Sequence, residues 1–285
     1  MDLKSLLQLT RVEHSFMLVL AVWIGETIAL GAFPNAQLAL MSALPPFFVG
    51  LASFAINDYF DYASDKINRR IDRPLVRGAV TPAEARAIAL ACLAIGIVSS
   101  FFNQYAFVLV LLFSLLACFY SYKLKDLPLL GNIYIAMSMA VPFVYGGAVA
   151  SASVGGEILM LCTIAFVAGL AREVMKSVQD VEGDKLARRS LTLPVLIGNK
   201  NSIFVSSLFY LLAIALSFLP YARGAYAQNF SYILPVLAAD FLLFHIVVRT
   251  ARDASKQALR AARGTSLLAL GLGLAGFLAG SLLKV

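Results

Sequence analysis

Residues 37–65 read QLALMSALPPFFVGLASFAINDYFDYASD: about twenty positions without a charge, followed at once by Asp58, Asp61 and Asp65. A run of that length, wound as a helix rising about 1.5 Å per residue, crosses the roughly 30 Å hydrocarbon core of a bilayer. It ends in a cluster of carboxylates, so this stretch predicts a membrane-spanning helix with chemistry at one mouth.

Eight further apolar runs of similar length follow the same rule. With the first they lie at about 14–33, 37–57, 83–101, 104–123, 131–152, 155–177, 200–219, 229–250 and 265–283. The expected fold is therefore all-α and polytopic, with nine transmembrane helices and a single membrane domain over residues 1–285. Composition agrees: 60% of the 285 residues are hydrophobic and only 14% charged, against about a quarter charged in soluble domains. The mature chain is expected to begin near Met1, because the first apolar run is long enough to span rather than to be cleaved.

The net charge of +7 does not point to nucleic acid, because the cations are distributed by topology. Of 23 Lys and Arg, 21 fall before the first run, in 58–86, at 123–125, in 172–200 and in 249–263, leaving Arg223 and Lys284 on the other side. The positive-inside rule then puts the N-terminus in the cytoplasm and the C-terminus outside. The connections after runs two and six are about 25 residues long, more than a turn between helices needs, and are the places to look for function. The three cysteines stand singly within apolar runs and suggest packing rather than a disulfide or zinc site.

Both long inner connections open on acidic clusters. The first is Asn57-Asp58-Tyr59-Phe60-Asp61-Tyr62-Ala63-Ser64-Asp65; the second is Gln179-Asp180-Val181-Glu182-Gly183-Asp184. If the helices continue through them, Asn57, Asp61 and Asp65 share one helix face, and so do Asp180 and Asp184. Crowded carboxylates repel one another unless cations sit among them. A hard divalent cation bound by oxygen is the simplest remedy, and Mg²⁺ commonly bridges one or two carboxylates to substrate phosphates. The expected metal set is Asn57, Asp58, Asp61, Asp65, Asp180 and Asp184. Arg73, Arg77, Lys125, Lys176 and Lys185 are the expected diphosphate cations, since a leaving diphosphate needs neutralisation beyond its metals.

These clusters, with Arg73-Pro74 and Gly78 after the first, Tyr120-Ser121, Leu124-Lys125 and Gly131-Asn132 between them, and Arg172-Glu173, Lys176 and Thr192-Leu193-Pro194 around the second, resemble the UbiA family of intramembrane aromatic and lipid prenyltransferases. The resemblance spans runs one to seven in order and spacing. It implies nine helices around a central cavity, a cytoplasmic cap over metal and diphosphate, and an apolar tunnel for the prenyl chain. It also implies Mg²⁺-assisted ionisation of an allylic diphosphate and attack by an acceptor on C1. Lys125 and Tyr120 are then expected to be catalytic, Tyr120 by presenting its ring to developing positive charge. Asp58 is expected either to take the acceptor proton or to act as a further metal ligand.

The second cluster is more similar to the archaeal ether-lipid branch, in which a geranylgeranyl group passes to the hydroxyl of geranylgeranylglyceryl phosphate, than to transferases of aromatic acids such as 4-hydroxybenzoate. Arg77, where many members have Ser, and His14, where many have Asn, depart from the family pattern and bear on substrate identity. The expected partners are a prenyl diphosphate, a lipid or aromatic acceptor and membrane lipids, with no nucleic acid and no obligatory protein.

Glu26 and Asp240 lie within runs one and eight, where an ionisable group is costly; polar contacts between helices are the expected role. His14 and His245 have no partner motif and are expected to be hydrogen-bonded rather than ligating. Gly146, Gly147, Gly271, Gly273, Gly276 and Gly280 are expected to let helices approach closely. A transporter would place its polar site near the midplane in broken helices, unlike clusters at helix ends. A metal-dependent lipid phosphatase would use similar groups but form no new bond to the prenyl chain.

Overall fold

The computed structural model describes residues 2–67, 69–188, 191–224 and 226–283, with backbone only at 182–188. Among them are eleven α-helices and no strand: α1 (Leu3–Thr10), α2 (Val12–Leu30), α3 (Ala36–Ile67), α4 (Pro82–Ser99), α5 (Gln104–Tyr122), α6 (Leu130–Ser151), α7 (Gly156–Arg188), α8 (Leu193–Ile197), α9 (Asn199–Ala222), α10 (Phe230–Arg252) and α11 (Lys256–Leu282). Nine of these are long and apolar enough to cross a membrane, α4 counting together with the single 3₁₀ turn that extends it to Phe102. They correspond one for one to the nine apolar runs. The bundle's outer surface is itself apolar: Leu40, Val98, Phe204, Phe230 and Phe241 are each more than three-fifths exposed, an arrangement that suits lipid and not water.

Helix ends differ most from the hydropathy reading. α3 and α7 run about ten residues past their apolar stretches, and α11 begins nine residues before its own. Hydropathy marks where lipid ends, whereas a helix stops only at a cap or a breaker. Between Gly50 and Ile67 there is no Gly or Pro, and the start of α11 is set by its N-cap Ser255, whose side chain accepts the Ala258 amide. Residues counted as inner loop are thus helical extensions carrying the polar groups.

The segment before the first run is also helical. Asp2 caps α1 by accepting the Ser5 amide, and Leu9 is fully buried against α3 residues Ala55 and Ile56. α1 ends at Arg11 in the left-handed region, φ 46°, which lets α2 start in a new direction one residue later.

α2 and α6 cross at two reciprocal glycines. A Cβ on Gly25 would stand 2.2 Å from the Phe143 carbonyl oxygen, and one on Gly146 would stand 2.1 Å from that of Val22. Gly276 and Gly280 similarly lie against Tyr232 and Tyr226. Gly271 and Gly273, expected to pack closely, instead have nothing within 4 Å of a Cβ; Gly273 lines the central cavity. Gly146→Val is accordingly expected to cost about 1–3 kcal/mol by overpacking backbone on backbone. Gly271→Ala, meeting open space, is expected to stay within about 0.5 kcal/mol. Thermal melts of the two variants in detergent, run beside the parent, test the contrast.

Candidate functional site

A cavity of about 320 Å³ runs through the bundle, within the range of small-molecule sites. Its walls are mostly apolar and aromatic: Phe54, Phe113, Tyr134, Phe143 and Phe277 all face it. Polar groups gather at one end, where Arg11, His14, Asn57, Tyr120, Arg172, Glu173, Lys176 and Arg263 line it.

α3 delivers its polar face as its four-residue spacing requires. Asn57 Nδ2 donates to Asp61 Oδ2 at 3.0 Å, one turn on. Asp58, Asp61 and Asp65 are buried, at 2%, 9% and 7% exposure. Such carboxylates are stable there only beside cations, and each has one. Arg11 on the α1–α2 corner and Arg73 both donate to Asp58 Oδ1, the first at 2.8 Å. Arg73 Nε also lies 3.7 Å from Asp65 Oδ2, and Lys125 Nζ touches Asp61 Oδ1. Arg11 additionally sits 4.8 Å over the Phe54 ring.

Lys125 is held in place by its surroundings. It lies in a second 3₁₀ turn, Leu124–Asp126, after α5, and a Cβ on Gly131 would come within 2.9 Å of its Cα. Only glycine at the start of α6 leaves that turn room. One residue on, Asn132 Nδ2 donates to Ser177 Oγ at 2.8 Å, tying α6 to α7.

On α7, Glu173 is 4% exposed and takes two cations: Arg172 donates to Oε1 at 2.7 Å and Lys176 to Oε2 at 2.9 Å. Asp180 follows Lys176 by about one turn. Arg70 links the two ends, lying in the field of both Asp65 and Asp180, while its bidentate pair with Asp72 holds it above its ordinary range. The same guanidinium holds the Asp72 carboxyl below the usual carboxylate range.

Of the residues expected from sequence, Asn57, Tyr120 and Lys176 line the cavity, and Asp58, Asp61, Asp65, Arg73 and Lys125 form the paired network beside it. Tyr120 stacks on Tyr134 with ring centroids 4.9 Å apart. Arg77 stands apart: its guanidinium contacts Ser5 Oγ at 3.0 Å and Gln8 on α1, so it fastens α1 to the loop before α4. The side chains of Asp184 and Lys185 lie outside the described residues. Arg11 and Arg263 belong to the site although sequence reasoning counted them only as topology charges. Asp240 accepts from Ser217 Oγ at 2.7 Å, a contact between α10 and α9, and also lines the cavity. Glu26 is fully buried, with Ser42 of α3 beside its carboxyl and no hydrogen bond of full geometry to it among the described residues.

Among the described residues no three His, Cys, Asp or Glu side chains converge as a metal cage. The donors nevertheless fit Mg²⁺, which needs only one or two carboxylates and fills its remaining positions with water or phosphate. They are all hard oxygen donors, and Asp58 Oδ2 is buried with no hydrogen-bond partner.

The sequence profile of the UbiA prenyltransferase family matches residues 18–268. The chain is 37% identical over 281 residues to the digeranylgeranylglyceryl phosphate synthase of Archaeoglobus fulgidus, covering 98% of this chain and 96% of that protein. With the synthase of the same name from Methanopyrus kandleri it shares 34% identity over 259 residues, 89% of this chain and 92% of the other. A solved structure of a digeranylgeranylglyceryl phosphate synthase superposes with a TM-score of 0.75 at 26% identity, over 98% of both chains. The structure of a UbiA homologue from Archaeoglobus fulgidus bound to DMAPP and Mg²⁺ gives 0.67 at 21% identity, over 96% of this chain and 99% of that one; at that identity the likeness is one of fold.

Proposed function

From a chain that belongs to the UbiA prenyltransferase family, we propose transfer of a geranylgeranyl group from its diphosphate to the hydroxyl of geranylgeranylglyceryl phosphate, forming an archaeal-type ether lipid. The observation that carries this reading is a paired polar mouth on a long apolar cavity in a chain whose curated relatives, matched over nearly their full length, are digeranylgeranylglyceryl phosphate synthases. The chain is a multi-pass membrane protein. The proposed single membrane domain has its N-terminus and active site on the cytoplasmic side and its C-terminus outside, the orientation favoured by the cation distribution.

The residues divide the work. Asn57, Asp61 and Asp65, with Asp180 and Asp184 from the other helix end, are proposed to hold Mg²⁺, with Asp58 a further candidate. Bound there, Mg²⁺ supplies positive charge to a departing diphosphate. Lys125, Lys176 and Arg73, with Lys185, neutralise what remains of that charge; Arg77, tied to α1, reaches the site only if it leaves Ser5 and Gln8. The apolar walls take the isoprenoid chain and keep water from the allylic cation. Tyr120, stacked on Tyr134, presents a π-face at the polar end of the cavity. Asp58 is already bonded to Arg11 and Arg73, which favours a role in charge positioning; its unbonded Oδ2 remains able to accept a proton from the attacking hydroxyl.

The test is a parallel assay of purified protein with Mg²⁺ and geranylgeranyl diphosphate, offering geranylgeranylglyceryl phosphate and 4-hydroxybenzoate and identifying products by mass. Prenylation of the glyceryl phosphate is the expected result. Prenylation of the aromatic acid alone would move the enzyme to quinone synthesis, and release of phosphate without a new ether bond would make it a phosphatase.

A further inference from the structure

The two walls of the polar mouth are charged differently. On the α3 side three carboxylates, Asp58, Asp61 and Asp65, meet three cations, Arg11, Arg73 and Lys125, through direct contacts. On the α7–α11 side Arg172 and Lys176 share the single carboxylate of Glu173. Arg263 lines the same wall from α11, and its guanidinium makes no hydrogen bond or ion pair with any described residue; Asp180, Arg172 and Glu173 are charged neighbours in whose field it lies. Among the described side chains, even with Asp180 counted, three cations face two carboxylates there.

Arg172 sharpens the point. It is 8% exposed, faces the cavity, and its Nε is buried without a hydrogen-bond partner among the described residues. An orphaned guanidinium N–H away from water costs free energy that an anion would recover. Arg172 also stands eight residues from Asp180, about 12 Å along α7 at 1.5 Å per residue, deeper in the cavity than the helix-end carboxylates. A planar guanidinium with free N–H groups beside a second one matches the oxygens of a phosphomonoester.

We propose that Arg172 and Arg263 form a subsite for the phosphate of the acceptor lipid, distinct from the place of the diphosphate; the inference rests on the functional reading above. The allylic diphosphate would then be held between the α3 carboxylates and the Asp180 end of α7, and the acceptor headgroup deeper, at Arg172 and Arg263, so that a phosphorylated glycerol lipid is preferred over the same lipid carrying a bare alcohol.

The experiment compares parent and Arg263→Gln, purified full-length in detergent, with geranylgeranylglyceryl phosphate and with its dephosphorylated alcohol. Arg263 is half-buried rather than fully enclosed, so its replacement is the gentler of the two; Arg172→Gln is the second variant. The expected result is a KM for the phosphorylated acceptor raised about 10- to 100-fold, a KM for geranylgeranyl diphosphate within about twofold, and a collapse of the parent's preference for phosphorylated over dephosphorylated acceptor. A rise in the diphosphate KM instead, or an equal loss with both acceptors, would overturn the subsite while leaving the enzyme a glyceryl phosphate prenyltransferase. No turnover of the glyceryl phosphate by the parent protein would remove the functional reading itself, and the subsite with it.

Discussion

Asp61→Asn is expected to lower kcat for prenyl transfer by about 10³-fold or more while the protein still folds and inserts. Asp61 is the carboxylate at which the network's strands meet: Asn57 donates to one oxygen and Lys125 touches the other. An amide of the same shape keeps the packing of α3 but removes the charge, and with it the electrostatic hold on a divalent cation. Loss of metal-derived charge stabilisation is worth several kcal/mol in a transition state, which sets the magnitude. The fold is spared because the amide keeps Asp61's shape and leaves the apolar contacts of α3, such as Ala55 and Ile56 against Leu9, untouched. The comparison variant is Asp72→Ala, whose carboxylate is exposed and, among the described residues, pairs with Arg70 alone; its expected change is under about threefold. Product formation at saturating substrate, with a thermal melt of each variant, checks both. Parent-level rates in a folded Asp61→Asn protein would take the α3 carboxylates out of the mechanism, and activity that survives exhaustive chelation would take the metal out.

How much of this was legible in sequence follows from the range over which each interaction acts. The nine spans are properties of contiguous stretches and could be read directly, as could the shared face of Asn57, Asp61 and Asp65, which helical period dictates. Helix ends were less legible, since polar extensions such as Asp58-to-Ile67 and Lys256-to-Gly264 carry no hydropathy signal. α1 was hidden for a related reason: Leu3, Leu6, Leu7 and Leu9 form an apolar face too short to register as a span. The cation partners lay out of reach, because Arg11 meets Asp58 across 47 positions and Lys125 meets Asp61 across 64. Spacing within one helix cannot reveal a pairing made by the packing of two. Gly271 and Gly273 show the converse, small residues in a repeating pattern that a neighbouring helix does not use.

Lys125→Ala is expected to separate two effects that a simple loss of function would merge: kcat falls about 10²- to 10³-fold, while Mg²⁺ binds several times more tightly. Lys125 rests on Asp61, and a monovalent cation in contact with a carboxylate competes with any divalent one for the same oxygen. Removing it makes the site more negative by one charge, and attraction for Mg²⁺ rises with that charge at short range. The rate moves the other way because the ammonium, on its flexible stem, is the group able to leave Asp61 for the diphosphate oxygens as their charge develops, an effect of the size lost when one preorganised donor is removed. The turn that carries Lys125 is fixed by backbone contact with Gly131, so the substitution leaves the scaffold intact. Metal affinity can be read from the Mg²⁺ dependence of thermal stability, since a ligand of the native state at free concentration c stabilises it by RT ln(1 + c/Kd) and so raises the melting temperature more at a given concentration the tighter it binds. If Mg²⁺ affinity and kcat fell together, Lys125 would be a prop for the carboxylates rather than a partner of the diphosphate; if kcat held, the diphosphate would depend on Arg73 and Lys176 instead.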